Sequence, residues 1–264
     1  MAMALAWAGN KVHAQVVALS GYPHAGAYRQ MPQHALLAGA NAGLLPLYKT
    51  FTATVYTEKR FLLNELSLIN VGIVVPHSGG AFALQASSFG NSAYSQRTAG
   101  LAYGRSLGSR LHAGLQFNYT HLHIAGYGNA GGVSADAGLV YVLSENLVAG
   151  LQLRHLAGTT FSYLKGEKQP RTAAAGIGYT LSDEFFISTT IEKERGQPLS
   201  VKVALQYQLL QKLQVTGGIH TGTSNLYFGA GFQLLQMQLH AVASFHPQLG
   251  ISPGLMLTFK KDKN

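Results

Sequence analysis

Leu199-Ser-Val-Lys-Val-Ala-Leu-Gln-Tyr-Gln-Leu209 decides how this chain is read. Its odd positions, Leu199, Val201, Val203, Leu205, Tyr207 and Leu209, are all apolar. Its even positions are Ser200, Lys202, Ala204, Gln206 and Gln208. Wound as a helix, the segment would scatter both sets around its surface. Extended as a strand, it separates them onto two faces. Similar segments recur along the chain. Leu111, Ala113, Leu115, Phe117 and Tyr119 alternate with His112, Gly114, Gln116, Asn118 and Thr120. Met237, Leu239, Ala241, Ala243 and Phe245 alternate with Gln238, His240 and Ser244. About fourteen such strands are expected, near 48–58, 64–76, 79–90, 94–107, 109–124, 132–144, 146–158, 170–182, 184–194, 198–210, 212–222, 225–235, 236–246 and 251–260. A strand of about 11 residues, tilted by about 40°, covers roughly 28 Å, enough to span the apolar core of a membrane.

Composition points the same way. The 264 residues are 47% hydrophobic and 11% charged, with 31 glycines. Ordinary soluble domains carry roughly 25% charged residues. Yet the apolar residues come in short pieces, and none forms the run of about 20 that a membrane helix needs. Lipid satisfies no backbone hydrogen bonds, so short apolar strands cross a membrane only as a closed barrel. The connections also alternate in length. Pro76–Gly79, Ser106–Ser109, Ser144–Asn146, Ser182–Glu184 and Gln211–Lys212 are short, whereas Ala125–Gly132 and Gly158–Pro170 are longer. With an even strand count, all the short turns fall on the side of the two termini, as in bacterial outer-membrane barrels. The fold expected is all-β: an antiparallel up-and-down transmembrane barrel of about fourteen strands in a Gram-negative outer membrane.

The chain divides accordingly. Residues 1–14 read as a short secretory signal with a small-residue site before Gln15. Residues 15–47 read as an N-terminal periplasmic or lumenal segment, 48–260 as the barrel and 261–264 as a polar tail. The apolar face is assigned to lipid, including lipopolysaccharide. Tyr48, Tyr56, Tyr103, Tyr119, Tyr141, Tyr163, Tyr179 and Tyr207 are assigned to rim girdles. The final strand, ending at Phe259, suits recognition by the barrel-assembly machinery. The polar face is assigned to the lumen, where Asp136, Arg154, Glu192, Lys202 and Gln206 stand out. Glu192 and Lys202 flank a hairpin symmetrically and are expected to pair.

The formal charge of +9 is spread over loops and rims. It forms no recognition helix, so nucleic-acid binding is not expected. The absence of cysteine removes thiolate metal sites and cysteine nucleophiles. His121 and His123 share a strand face but have no third ligand in sequence, so neither a metal nor another cofactor is expected. Pro76-His77-Ser78-Gly79 reads as a turn rather than a nucleophile with its base, and the glycine-rich run from Gly126 to Gly132 lacks a following Lys-Ser/Thr. No enzymatic activity is expected.

Several segments resemble a known family. Tyr56-Thr-Glu-Lys-Arg-Phe-Leu-Leu-Asn-Glu-Leu-Ser67, Gly100-Leu-Ala-Tyr-Gly-Arg105, Ala113–Tyr119, Gly229-Ala-Gly-Phe232 and Ser244–Pro253 are similar, in order and spacing, to PorV/PorQ-type outer-membrane proteins of Bacteroidota. That type is placed in the superfamily of the long-chain fatty-acid transporter FadL. The resemblance implies a fourteen-stranded barrel with an N-terminal plug. Asn41-Ala-Gly-Leu44 stands where the family has Asn-Pro-Ala-Gly-Leu, which makes Asn41, Gly43 and Leu44 the plug motif. Two roles follow from the resemblance. One is protein secretion or surface assembly linked to type IX secretion. Its partner would be a secretion-system or surface protein, docked on the loop residues Phe161, Tyr163, Lys165 and Lys168. The other is passive transport of small hydrophobic compounds.

Overall fold

In the computed structural model, residues 22–24, 26–156 and 170–261 are described. The proposed signal segment and the loop residues Phe161, Tyr163, Lys165 and Lys168 lie outside them. Fourteen antiparallel strands form one closed barrel in which each strand pairs with its sequence neighbours and β1 pairs with β14. They are β1 (Thr52–Lys59), β2 (Ser67–His77), β3 (Gly80–Gly90), β4 (Tyr94–Ser106), β5 (Leu111–Ile124), β6 (Gly128–Val142) and β7 (Leu147–Arg154). The second half comprises β8 (Thr172–Thr180), β9 (Phe185–Glu194), β10 (Leu199–Leu210), β11 (Leu213–His220), β12 (Asn225–Leu234), β13 (Met237–His246) and β14 (Gly250–Lys260). Closure leaves no unpaired edge, and that is the condition for strands to cross lipid. No helix among the described residues is long and apolar enough to cross a membrane.

Side-chain parity sets the two surfaces. On β10, Leu199, Leu205, Tyr207 and Leu209 are exposed on the outer wall, whereas Ala204 is buried inside. On β5, Leu115, Phe117 and Tyr119 face outward, and His112, Gln116, Asn118 and Thr120 are buried. The apolar exterior and polar interior are the reverse of a soluble domain and match a barrel in lipid. Tyr103, Tyr141, Tyr179 and Tyr207 lie outward near the strand ends that carry the termini. Phe82 packs on Tyr103 at 4.7 Å and Phe185 on Tyr207 at 6.4 Å between ring centroids, adding to an aromatic band at that rim. Two of the girdle assignments are corrected. Tyr56 points into the lumen, 1% exposed, and its hydroxyl donates to Glu58 at 2.6 Å. Tyr48 precedes the barrel, is 4% exposed, and donates to the backbone carbonyl of His34 at 2.8 Å.

The connection expected over Ala125–Gly132 is also shorter than its glycines suggested. Gly128–Gly132 already belongs to β6, pairing with Ile124–Thr120 of β5. The first strand begins at Thr52 instead of near 48, because Ala42–Leu47 is a 3₁₀ helix that contains Pro46. The described residues before β1, from Tyr22 on, pack against the inside of the barrel. They carry a 3₁₀ turn (Tyr22–His24), one helical turn, α1 (Leu37–Ala40), and the 3₁₀ helix. Ala35, Ala38, Leu44 and Leu45 are fully buried against the barrel's inner wall.

Candidate functional site

The described part of the N-terminal segment packs inside the barrel, and Asn41 ties it to the wall. The Asn41 side chain donates to the carbonyls of Leu139 and Leu151 at 3.2 and 3.0 Å. These residues face each other across β6 and β7. Its Oδ1 accepts from the Gly43 amide at 2.8 Å, capping the 3₁₀ helix. One side chain therefore both starts the helix and ties it to two strands. Leu44, fully buried, anchors the same turn in the core. Asn41, Gly43 and Leu44 are thus brought together in one turn against the wall.

The wall accommodates the plug by having no side chains where the two touch. Gly104, Gly114 and Gly138 are direct neighbours across β4, β5 and β6. A Cβ on Gly104 would lie 2.7 Å from both the Ala42 carbonyl oxygen and the Leu45 Cβ. A Cβ on Gly138 would fall on the Asn41 carboxamide, and one on Gly114 on the Ala42 carbonyl. Gly150 and Gly176 pair across β7 and β8 and leave room for the ring of Tyr28, which is 2% exposed. Sequence reading missed both this glycine wall and Tyr28. The signal available was a glycine at inward parity on five successive strands.

Polar contacts hold the rest of the segment. The Ala35 amide donates to Thr54 Oγ1 of β1 at 3.0 Å. Arg29 donates to Gln206 at 3.0 Å and lies over the ring of Phe186 at 4.8 Å. Burial holds the His34 imidazole well below its ordinary pKa, with the positive fields of His240 and Lys260 acting in the same direction. It is therefore neutral in the docked segment.

Beyond the plug, in the half of the barrel away from the termini, lies a chamber of about 160 Å³. Leu36, Gly39 and His24 form its plug side. Its walls carry Asn70, Gln96, Thr98, Asn118, Asp136 and Arg154 among others. The predicted lumen residues fall into three places. Arg154, Glu192 and Lys202 form one cluster, with both cations 2.7 Å from Glu192. Asp136 belongs to a separate chain in which Gln116 donates to Asn118 at 2.6 Å and Asn118 donates to Asp136 at 2.9 Å. The His155 amide donates to the other Asp136 oxygen at 2.8 Å, which pins the exit of β7 to the wall. Gln206 lies with the plug through Arg29. No group of three or more His, Asp or Glu among the described residues could hold a metal ion.

No protein-family model matches the sequence, and no curated protein does. Solved structures do match. The Pseudomonas putida toluene transporter TodX aligns with a TM-score of 0.66 at 10% identity, over 90% of this chain and 96% of that one. A monoaromatic hydrocarbon channel, CymD, aligns with a TM-score of 0.64 at 12% identity, over 90% and 95% of the two chains. A Pseudomonas aeruginosa FadL homologue aligns with a TM-score of 0.57 at 10% identity, over 88% and 94%. At these identities the likeness is one of fold, and it extends over nearly the whole of each chain. These three structures show nothing specific to the PorV/PorQ type. The chain is an outer-membrane β-barrel, similar in fold to a toluene transporter, a monoaromatic hydrocarbon channel and a FadL homologue.

Proposed function

We propose that this protein is a plugged outer-membrane channel that passes small hydrophobic compounds by passive diffusion. The observation that carries the reading is the N-terminal segment, clamped into the barrel by Asn41 and the glycine wall. Such a closure suits a barrel that must not leak water-soluble material. The likeness to channels described as acting on toluene and monoaromatic hydrocarbons supports the substrate class. Chamber size supports it as well, since a cavity of about 150 Å³ accepts a single benzene ring. The lining is mixed, with Asn70, Gln96, Asn118, Asp136 and Arg154 among apolar groups, whereas storage sites for apolar ligands carry few polar groups. The chamber would therefore be a point of transit, with weak retention.

The reading linked to type IX secretion has no support among the matching structures, and its loop residues lie outside those described. The test is uptake of labelled toluene by cells with and without the protein in an otherwise impermeable outer membrane. Faster uptake with the protein supports the reading. Equal uptake of toluene and of larger apolar compounds removes it.

A further inference from the structure

The outer wall is not evenly convex. A groove of about 1030 Å³ lies on its lipid face across β3–β9, floored in part by Ala113, Ala137, Ala173 and Ala175. Its sides are large apolar residues, among them Leu139, Leu151 and Ile191. Cross-strand pairing shows how it runs. Arg105, Ala113, Leu139, Leu151, Ala175 and Ile191 are successive direct partners. Each lies one residue further from the terminus-side end of its strand than the last. Arg105 is one residue inside that end of β4, which finishes at Ser106. Ile191 is six residues inside the end of β9, which begins at Phe185. The row therefore starts at the periplasmic rim and climbs. Five interstrand steps of about 4.8 Å, rising at a strand tilt of about 40°, give a climb of roughly 15 Å, half the apolar thickness of a bilayer.

The two ends differ in charge. Arg105 lines the lower end, is exposed and makes no ion pair among the described residues. Lys193, at the upper end, already donates to the Gln197 carbonyl at 2.7 Å. The free cation thus sits at the level of the periplasmic head groups, and the apolar channel above it is one leaflet deep. We propose that this groove binds one phospholipid of the periplasmic leaflet, with an acyl chain along the alanine floor and its phosphate on Arg105. Arginine suits that role, since its guanidinium can bond two phosphate oxygens together. The alanines supply the depth: a larger side chain at Ala137 or Ala175 would fill the path. The proposal needs only the barrel's place in the outer membrane and is independent of what crosses the lumen.

Native mass spectrometry of the delipidated full-length protein tests it, with palmitoyl-oleoyl phosphatidylglycerol and the matching diacylglycerol as probes. One phosphatidylglycerol should bind, about tenfold tighter than diacylglycerol. Arg105→Gln should bring phosphatidylglycerol down to the level of diacylglycerol. Ala175→Phe should remove both. Lys212→Glu, a turn substitution outside the groove, should change neither. Unaltered phosphatidylglycerol binding in Arg105→Gln or in Ala175→Phe overturns the proposal. So does wild-type protein that binds lipopolysaccharide or a second copy of the chain in preference to phosphatidylglycerol.

Discussion

The carboxamide of Asn41 occupies the space into which a Cβ on Gly138 would project. Plug and wall are therefore matched atom to atom, and either partner can be changed to release the other. In Gly138→Val the barrel's own pairing is retained, because the new side chain points inward at a position where the strand is otherwise regular. The plug must then move. Single-channel recordings of this variant should show stable openings absent from the wild type. A closed Gly138→Val channel in a folded barrel would mean that the plug is held elsewhere.

Asn41→Ala tests the other partner. It removes two donations to β6 and β7 and the cap on the 3₁₀ helix. Losing such a buried set costs about 1–3 kcal/mol for each group left without a partner. Residue 38 should then become accessible. The chain has no cysteine, so a single Cys at Ala38, fully buried in the plug, reports this directly. Labelling should be at least about tenfold faster with Asn41→Ala; equal rates would exclude Asn41 as the clamp.

Docking of the plug should weaken in acid. Burial keeps His34 neutral when docked, with its pKa well below the ordinary value. A released segment would take up a proton below about pH 6.5. Proton uptake by the free form alone makes docking less favourable as pH falls through the ordinary histidine range. Labelling at residue 38, corrected for the intrinsic pH dependence of thiol reactivity, should rise between pH 7.5 and pH 5. His34→Gln should remove part of that rise and His34→Gln with His24→Gln the rest, because burial also holds the His24 imidazole down, to about 3. A rise that persists in the double variant assigns the effect to another group.

Glu192 compensates two cations at once. All three side chains are largely shielded, at 15–22% exposure. Glu192→Gln leaves Arg154 and Lys202 facing each other without a counter-charge, a loss of about 3 kcal/mol for a buried pair. The temperature at which the barrel loses its compact form on a detergent gel should fall. Lys202→Met in the same background should restore part of it, because one of the two opposed charges is gone. No recovery would place the defect outside the cluster.

How much of this was legible depended on the signal each part leaves in sequence. Strands such as β10 were readable because every apolar residue falls on one parity, so lipid and lumen faces separate without ambiguity. In β1 the signal is weak: Thr52, Thr54, Tyr56 and Glu58 face inward, while Ala53, Val55, Thr57 and Lys59 alternate with them. Both sets mix polar and apolar residues, and Tyr56 was placed on the wrong face. Glu192 and Lys202 read as a pair from their places beside the hairpin loop; they meet diagonally, Glu192 opposite Ser200 and Lys202 opposite Thr190. Addition of Arg154 needed the register of β7, β8 and β9, which brings Arg154 opposite Thr172 and Thr172 opposite Glu194. The plug has no repeating pattern at all. Its contacts with Gly104, Gly138 and Gly176 join residues far apart in the chain, and a glycine in sequence does not say what fills the space it leaves.

Uptake of toluene and of a similarly small sugar, measured in the same cells with wild type and Gly138→Val, tests the central claim most directly. The account predicts that wild type speeds toluene alone, whereas Gly138→Val also admits the sugar. Wild-type protein that admits the sugar as fast as toluene, or neither solute at all, would contradict it.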